Sequence, residues 1–197
     1  MKDTADHTVV IVPGLRDHVP DHWQTLLAER LDRVRTVPPL ERDKLSLAAR
    51  VAALDAVVTA IDGPVVLVAH SAGVLIAVHW AQEHRRPVRA ALLATPADLE
   101  SALPDGYPTA EELAAGGWNP IPRARLPFPS VVAASTNDPL ASSRRVAGMA
   151  EAWGSRLVDL GDVGHLNPAS GYGEWPRAQE LLSELIASTA PDTAAAR

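Results

Sequence analysis

Six short runs rich in β-branched residues recur along the chain, at 8–12, 34–37, 65–68, 91–95, 130–136 and 155–160. Between most of them lie longer stretches whose apolar residues follow a helical period, such as Trp23, Leu26, Leu27 and Leu31, or Leu47, Val51, Leu54, Val57, Val58 and Ile61. A strand that must reach its neighbour through a helix pairs with it in parallel, and a parallel sheet needs cover on both faces. The pattern therefore predicts an α/β fold: a three-layer α/β/α arrangement around a mostly or wholly parallel sheet of about six strands. With 197 residues, of which 47 % are apolar, residues 1–188 read as a single domain with a substantial core.

Two segments break the rhythm. Residues 98–129 carry Pro104, Pro108, Pro120, Pro122, Pro127 and Pro129, with Gly106, Gly116, Gly117 and Trp118. A connection this long and broken reads as a lid or binding loop, or else as a plain surface excursion with one short helix near 109–115. Trp118, Phe128, Leu103 and Leu126 would then either line a pocket or pin the segment to the core. The tail, residues 189–197, has no large apolar residue to anchor it and is expected to be disordered.

Composition excludes several function classes. A net charge of −6, with 18 Lys and Arg scattered along the chain, offers no basic footprint for nucleic acid. The absence of cysteine removes disulfides, thiolate zinc sites and a Cys nucleophile together. His18 and His22 have a metal-like spacing, but Pro20 between them breaks the helix that such a pair needs, and no metal is expected. Lys2 and Lys44, the only lysines, follow no glycine-rich turn, so neither a phosphate-cradling loop nor another cofactor is expected. The acidic start does not resemble a signal peptide, and the longest near-apolar stretch, 65–78, falls short of the roughly 18 residues of a membrane span. A soluble, cytoplasmic protein that avoids membranes is the expectation; the oligomeric state is left open.

Chemistry concentrates in Val65-Val66-Leu67-Val68-Ala69-His70-Ser71-Ala72-Gly73. An apolar run, then a serine with small residues two positions to either side, then a second apolar stretch reads as strand, sharp turn and helix. Such a bend holds its serine in a strained backbone with the hydroxyl exposed. A serine hydroxyl is a weak nucleophile and needs a histidine base, itself oriented by a carboxylate. In the chain order Ser, Asp, His, two positions fit: Asp138 after the fifth run and His165, between glycines, after the sixth. Asp98 after the fourth run is the rival acid. Among the other histidines, His70 adjoins the serine and suits packing beneath the turn, while His79 and His84, five apart on a helix, face different ways. The backbone N–H groups of Ala72, at the start of the following helix, and of Leu15, after Pro13-Gly14, are the candidate donors for an oxyanion.

Val12-Pro13-Gly14-Leu15, Asp21-His22-Trp23, Ala69-His70-Ser71-Ala72-Gly73, Ser135-Thr136-Asn137-Asp138-Pro139 and Gly164-His165-Leu166-Asn167, which runs into 170–176, together resemble a family. It is that of the small α/β-hydrolases of the YdeN type, related to retinoblastoma-binding protein nine. The resemblance spans about residues 8–187 and implies a reduced α/β-hydrolase sheet, a Ser71–Asp138–His165 triad, and Leu15 and Ala72 as oxyanion donors. Ala69 stands where the wider hydrolase pattern has glycine. The Leu-x-Cys-x-Glu motif used to bind retinoblastoma protein is impossible in a chain without cysteine.

The reading that follows is a cofactor-free serine hydrolase acting through an acyl-enzyme on a small-molecule carboxylic ester or amide. Its alternative is a non-catalytic module that uses the same fold, through its pocket or the 98–129 segment, to hold a ligand or protein.

Overall fold

A computed structural model of the chain describes residues 7–189. Its sheet has six strands, all parallel: β1 (Thr8–Val12), β2 (Val34–Thr36), β3 (Val65–His70), β4 (Ala90–Ala94), β5 (Ser130–Ala134) and β6 (Arg156–Asp159), in the order β2-β1-β3-β4-β5-β6. The helices are α1 (Trp23–Arg30), α2 (Leu47–Thr59), α3 (Ala72–Glu83), α4 (Ala110–Ala115), α5 (Ser143–Trp153) and α6 (Arg177–Ala187). This is the three-layer arrangement that the alternating pattern predicts.

The four central strands are buried at every position, which is why they read as continuous apolar runs. Their side chains divide by the two-residue period of a strand. Val10, Val12, Leu67, Leu93 and Val132 face α2, α3 and α5, whereas Val9, Ile11, Val66, Leu92 and Val131 face α1 and α6. The short outer strands β2 and β6 are largely exposed, as sheet edges usually are. Strand ends shift from the sequence reading where pairing decides them. β3 runs on to His70 because it pairs with Ala94, and β5 stops at Ala134, level with the end of its partner β6.

Between β4 and β5, a Thr109–Glu112 capping box starts α4. Trp118, Ile121, Leu126 and Phe128 are buried in the core on the α2/α3 side, and the Trp118 indole N–H donates to Leu45 O at 2.7 Å. Of the four apolar residues proposed for a pocket wall, only Leu103 borders the cavity at Ser71. Thr189 lies in a turn beyond α6, with its hydroxyl donating to Ile186 O, and the remainder of the tail, 190–197, lies outside the described residues.

Sheet order decides where the loops meet. β1 and β3 are neighbours while β2 lies outside them, so the connections leaving β1 and β3 run in opposite directions. A crevice opens at that switch point, beyond the carboxyl ends of the strands.

Candidate active site

Ser71 sits in this crevice between β3 and α3, with φ 58° and ψ −129°. A positive φ is costly for a residue with a Cβ, on the order of 1–3 kcal/mol, and here the surroundings hold it. Ser71 N–H donates to Ala94 O at 3.1 Å, and Val74 N–H to Ser71 O at 3.0 Å. Gly73 makes the bend feasible. A Cβ on it would lie 2.2 Å from Val12 O and 2.6 Å from Pro13 O, so only glycine lets α3 start this close to β1.

His165 reaches Ser71 from the loop after β6. Its Nε2 lies 2.8 Å from Ser71 Oγ, and its Nδ1 lies 3.0 and 2.9 Å from the two oxygens of Asp138. Both side chains are shielded, 5 % exposed for His165 and 2 % for Asp138. A carboxylate only accepts, so Nδ1 carries the proton and Nε2 is left to accept from the serine hydroxyl. Asp138 Oδ1 also accepts from Leu140 N–H at 2.8 Å, which sets the carboxylate's orientation. The His165 loop is held by a tight turn: Gly164 has φ 57°, a Cβ there would meet Ser170 Oγ at 2.5 Å, and that hydroxyl accepts from His165 N–H at 3.0 Å. Asn137 ties the two loops together, its Oδ1 accepting from Gly164 N–H at 2.6 Å.

The rival acid is placed elsewhere. Asp98 is buried, but both its oxygens are taken by Arg145, with Nε and Nη2 each at 2.8 Å, and Ser101 Oγ donates to it at 2.6 Å. Burial pushes its carboxyl up, yet the hydrogen bonds from Arg145 and Ser101 outweigh that and hold it below the ordinary aspartate value.

Leu15 and Ala72 flank the serine. Among the described residues no hydrogen bond occupies either N–H. Ser71 caps α3 without a side-chain hydrogen bond, which leaves the Ala72 N–H unoccupied at the positive end of the helix dipole. The arrangement can therefore hold a nucleophilic hydroxyl, a base and an anion-stabilising pocket within one cavity.

The match to a family model decides what kind of protein carries this site. The serine hydrolase family model matches residues 9–184. The chain belongs to the serine hydrolase family. This serine hydrolase is similar to a solved structure described as a YdeN-like hydrolase, from Pectobacterium atrosepticum, with 30 % identity, 94 % of each chain covered and a TM-score of 0.79. The ydeN gene product of B. subtilis shares the fold at 16 % identity and a TM-score of 0.70, over 93 % of this chain and all (100 %) of that one. Est1E from Butyrivibrio proteoclasticus does so at 15 % and 0.67, over 93 % and 90 %. No curated protein matches the chain. It is a small α/β-hydrolase of the YdeN type, and among its described residues no helix is long and apolar enough to cross a membrane.

Three residues around the hydrolase site carry more than their sequence positions suggest. His70, expected to pack beneath the turn, is buried and its Nε2–H donates to His165 O at 2.9 Å; burial holds its imidazole well below the usual range, hence neutral. His22 caps α1 by accepting from Gln24 N–H through Nδ1 at 3.2 Å, and burial, with the nearby His165, lowers it to about 4. His18 and His22 thus engage helix α1, and among the described residues no group of three or more His, Asp or Glu forms a metal cluster. Arg50 was not singled out in the sequence. It is 5 % exposed and ties down the loop that carries Leu15, donating to Asp17 Oδ1 at 2.9 Å, Leu15 O at 3.4 Å and Lys44 O at 2.7 Å. Its signal was legible: Arg50 lies three residues after Leu47 and four before Leu54, a charge on the apolar face of α2.

Proposed function

We propose that this serine hydrolase cleaves carboxylic esters, with amides as a secondary class, through an acyl-enzyme formed on Ser71. The observation that carries the reading is the unbroken hydrogen-bonded chain from Asp138 through His165 to Ser71 Oγ, in chain order Ser, Asp, His, at a strained strand-to-helix bend.

Ser71 Oγ attacks the ester carbonyl while His165 Nε2 takes its proton, and Asp138 stabilises the imidazolium that forms. The carbonyl oxygen becomes an oxyanion, met by the N–H groups of Leu15 and Ala72. As the tetrahedral centre collapses, the C–O bond to the alcohol breaks and His165 returns the proton to it. Water then repeats the cycle on the acyl-enzyme and releases the acid. The cavity in front of Ser71 measures about 140 Å³, close to a cavity that holds a benzene ring, which suits a short acyl or aryl group.

Labelling with a serine-directed fluorophosphonate and hydrolysis of a short p-nitrophenyl ester test this. Ser71→Ala is expected to lose labelling and to reduce turnover by a factor on the order of 10⁶ without loss of folding. Undiminished labelling of that variant would overturn the assignment.

A further inference from the structure

The cavity at Ser71 has two chemically different parts to its lining. Leu99, Leu103 and Leu140 make one apolar. The turn after β1 adds the exposed Arg16, whose guanidinium carbon stands 5.3 Å from the ring centre of Tyr107 on the β4–β5 connection. Both residues border the cavity. Stacking uses the face of a guanidinium and leaves its edge N–H donors free. Among the described residues Arg16 has no carboxylate partner.

The other ionisable groups of the lining are already satisfied. Asp17 is paired with Arg50, His22 and His70 are neutral, and His165 is engaged by Asp138, whose carboxylate lies behind the imidazole ring. Arg16 is thus the one formal charge on the described cavity wall without an opposite charge beside it. A lining that joins apolar side chains to an unpaired guanidinium beside an aromatic ring is matched by a molecule that is apolar in one part and anionic at its end.

We propose that the substrate class is an ester whose acyl or alcohol part ends in an anionic group, a carboxylate in the simplest case, and that Arg16 is the specificity-determining residue that binds it. This rests on the ester-hydrolase reading.

The test compares two esters of equal chain length, p-nitrophenyl hexanoate and the p-nitrophenyl monoester of adipic acid, which differ in a terminal carboxylate. The wild-type protein should prefer the adipate ester in kcat/KM by roughly tenfold, the scale of a partly exposed charge-assisted contact. Arg16→Gln should bring the ratio near one, Arg16→Glu should invert it, and added salt should shrink it in the wild type. A wild-type ratio near one, or a preference that survives Arg16→Gln, overturns the proposal. Calorimetric binding to Ser71→Ala separates the two readings. Tighter binding of monomethyl adipate than of methyl hexanoate, lost when Arg16→Gln is added, supports the anion site even if neither ester is hydrolysed; equal binding sinks it while leaving ester hydrolysis standing.

Discussion

Two aspartates with buried side chains follow neighbouring strands of the sheet, and they do opposite things. Asp98 follows β4 and Asp138 follows β5; their side chains are 3 % and 2 % exposed. Asp98 gives both oxygens to a guanidinium, and its backbone N–H donates to Leu140 O at 2.9 Å, so it locks the β4 and β5 loops together. Asp138 faces a single imidazole and the Leu140 amide, which leaves its charge directed at His165. Position at a strand end and burial are common to both. What separates a carboxylate suited to orient a base from one that fastens loops is the partner across the gap: a permanent cation satisfies it, whereas a neutral imidazole uses it when a proton arrives.

The sharpest way to break this contrast is to neutralise each acid in turn. Asp138→Asn should lower kcat by on the order of 10⁴, about 5 kcal/mol of barrier, while moving Tm little, because the side chain keeps its shape but no longer holds the right tautomer. Steady-state hydrolysis and thermal melts read both effects. If Asp98→Asn produced that rate loss instead, the roles would be exchanged.

Next in size is the acid limb of stability, where the histidines behind the site separate from the carboxylates. His22 binds a proton at about 4 when folded and near 6.5 when unfolded, so the unfolded state gains protons first as pH falls. Stability should be highest above pH 6.5 and decline between 6.5 and 4, by roughly 3 kcal/mol from this group. His22→Asn should make that limb shallower in pH-dependent denaturant melts, leaving the part that the buried His70 contributes.

Asp98→Asn should cost about 2 kcal/mol of stability, within the range for hydrogen bonds to charged groups, and change kcat by less than threefold. Its signature is also in pH. The folded carboxyl lies below the unfolded value of 3.8, so its stabilisation is present above that value and fades as pH falls through the folded one. Wild type and variant should therefore converge in Tm in strong acid while running parallel between pH 4 and 6.5.

The smallest effect concerns how the two loops are joined. Arg145→Ala combined with Asp98→Asn should cost less than the sum of the two separate losses, with a coupling of about 1 kcal/mol, because each change removes the same contact. Additive losses would show that Arg145, 40 % exposed, holds Asp98 only weakly.

Much of this is legible in the sequence. Runs such as Val65–Val68 read as strands, and their alternation with helical stretches asks for cover on both faces, while Ala69, Ser71 and Gly73 spell a bend whose tightness has a cause, the 2.2 Å approach of a Cβ on Gly73 to Val12 O. Less legible were contacts between distant loops. Trp118 and Phe128 look alike as pocket lining or as anchors, and only the packing of the β4–β5 connection assigns them to the core. Arg50 carried a signal, a charge on an apolar helix face, but its partners Asp17 and Leu15 lie 33 and 35 residues away.

The sequence by itself determined the layered α/β architecture, the bend at Ser71 and a short set of residues able to complete its chemistry, because strand and helix periods and turn sterics act over a few neighbours. The sequence put Asp138 forward for His165 with Asp98 as its rival; tertiary structure alone decided what occupies Asp98, what pins Leu15 in place and why Arg16 is left without a counter-charge. Those outcomes depend on side chains brought together across separations of 47 and 35 residues, where distance in space is set by the order of strands in the sheet and no local pattern records it.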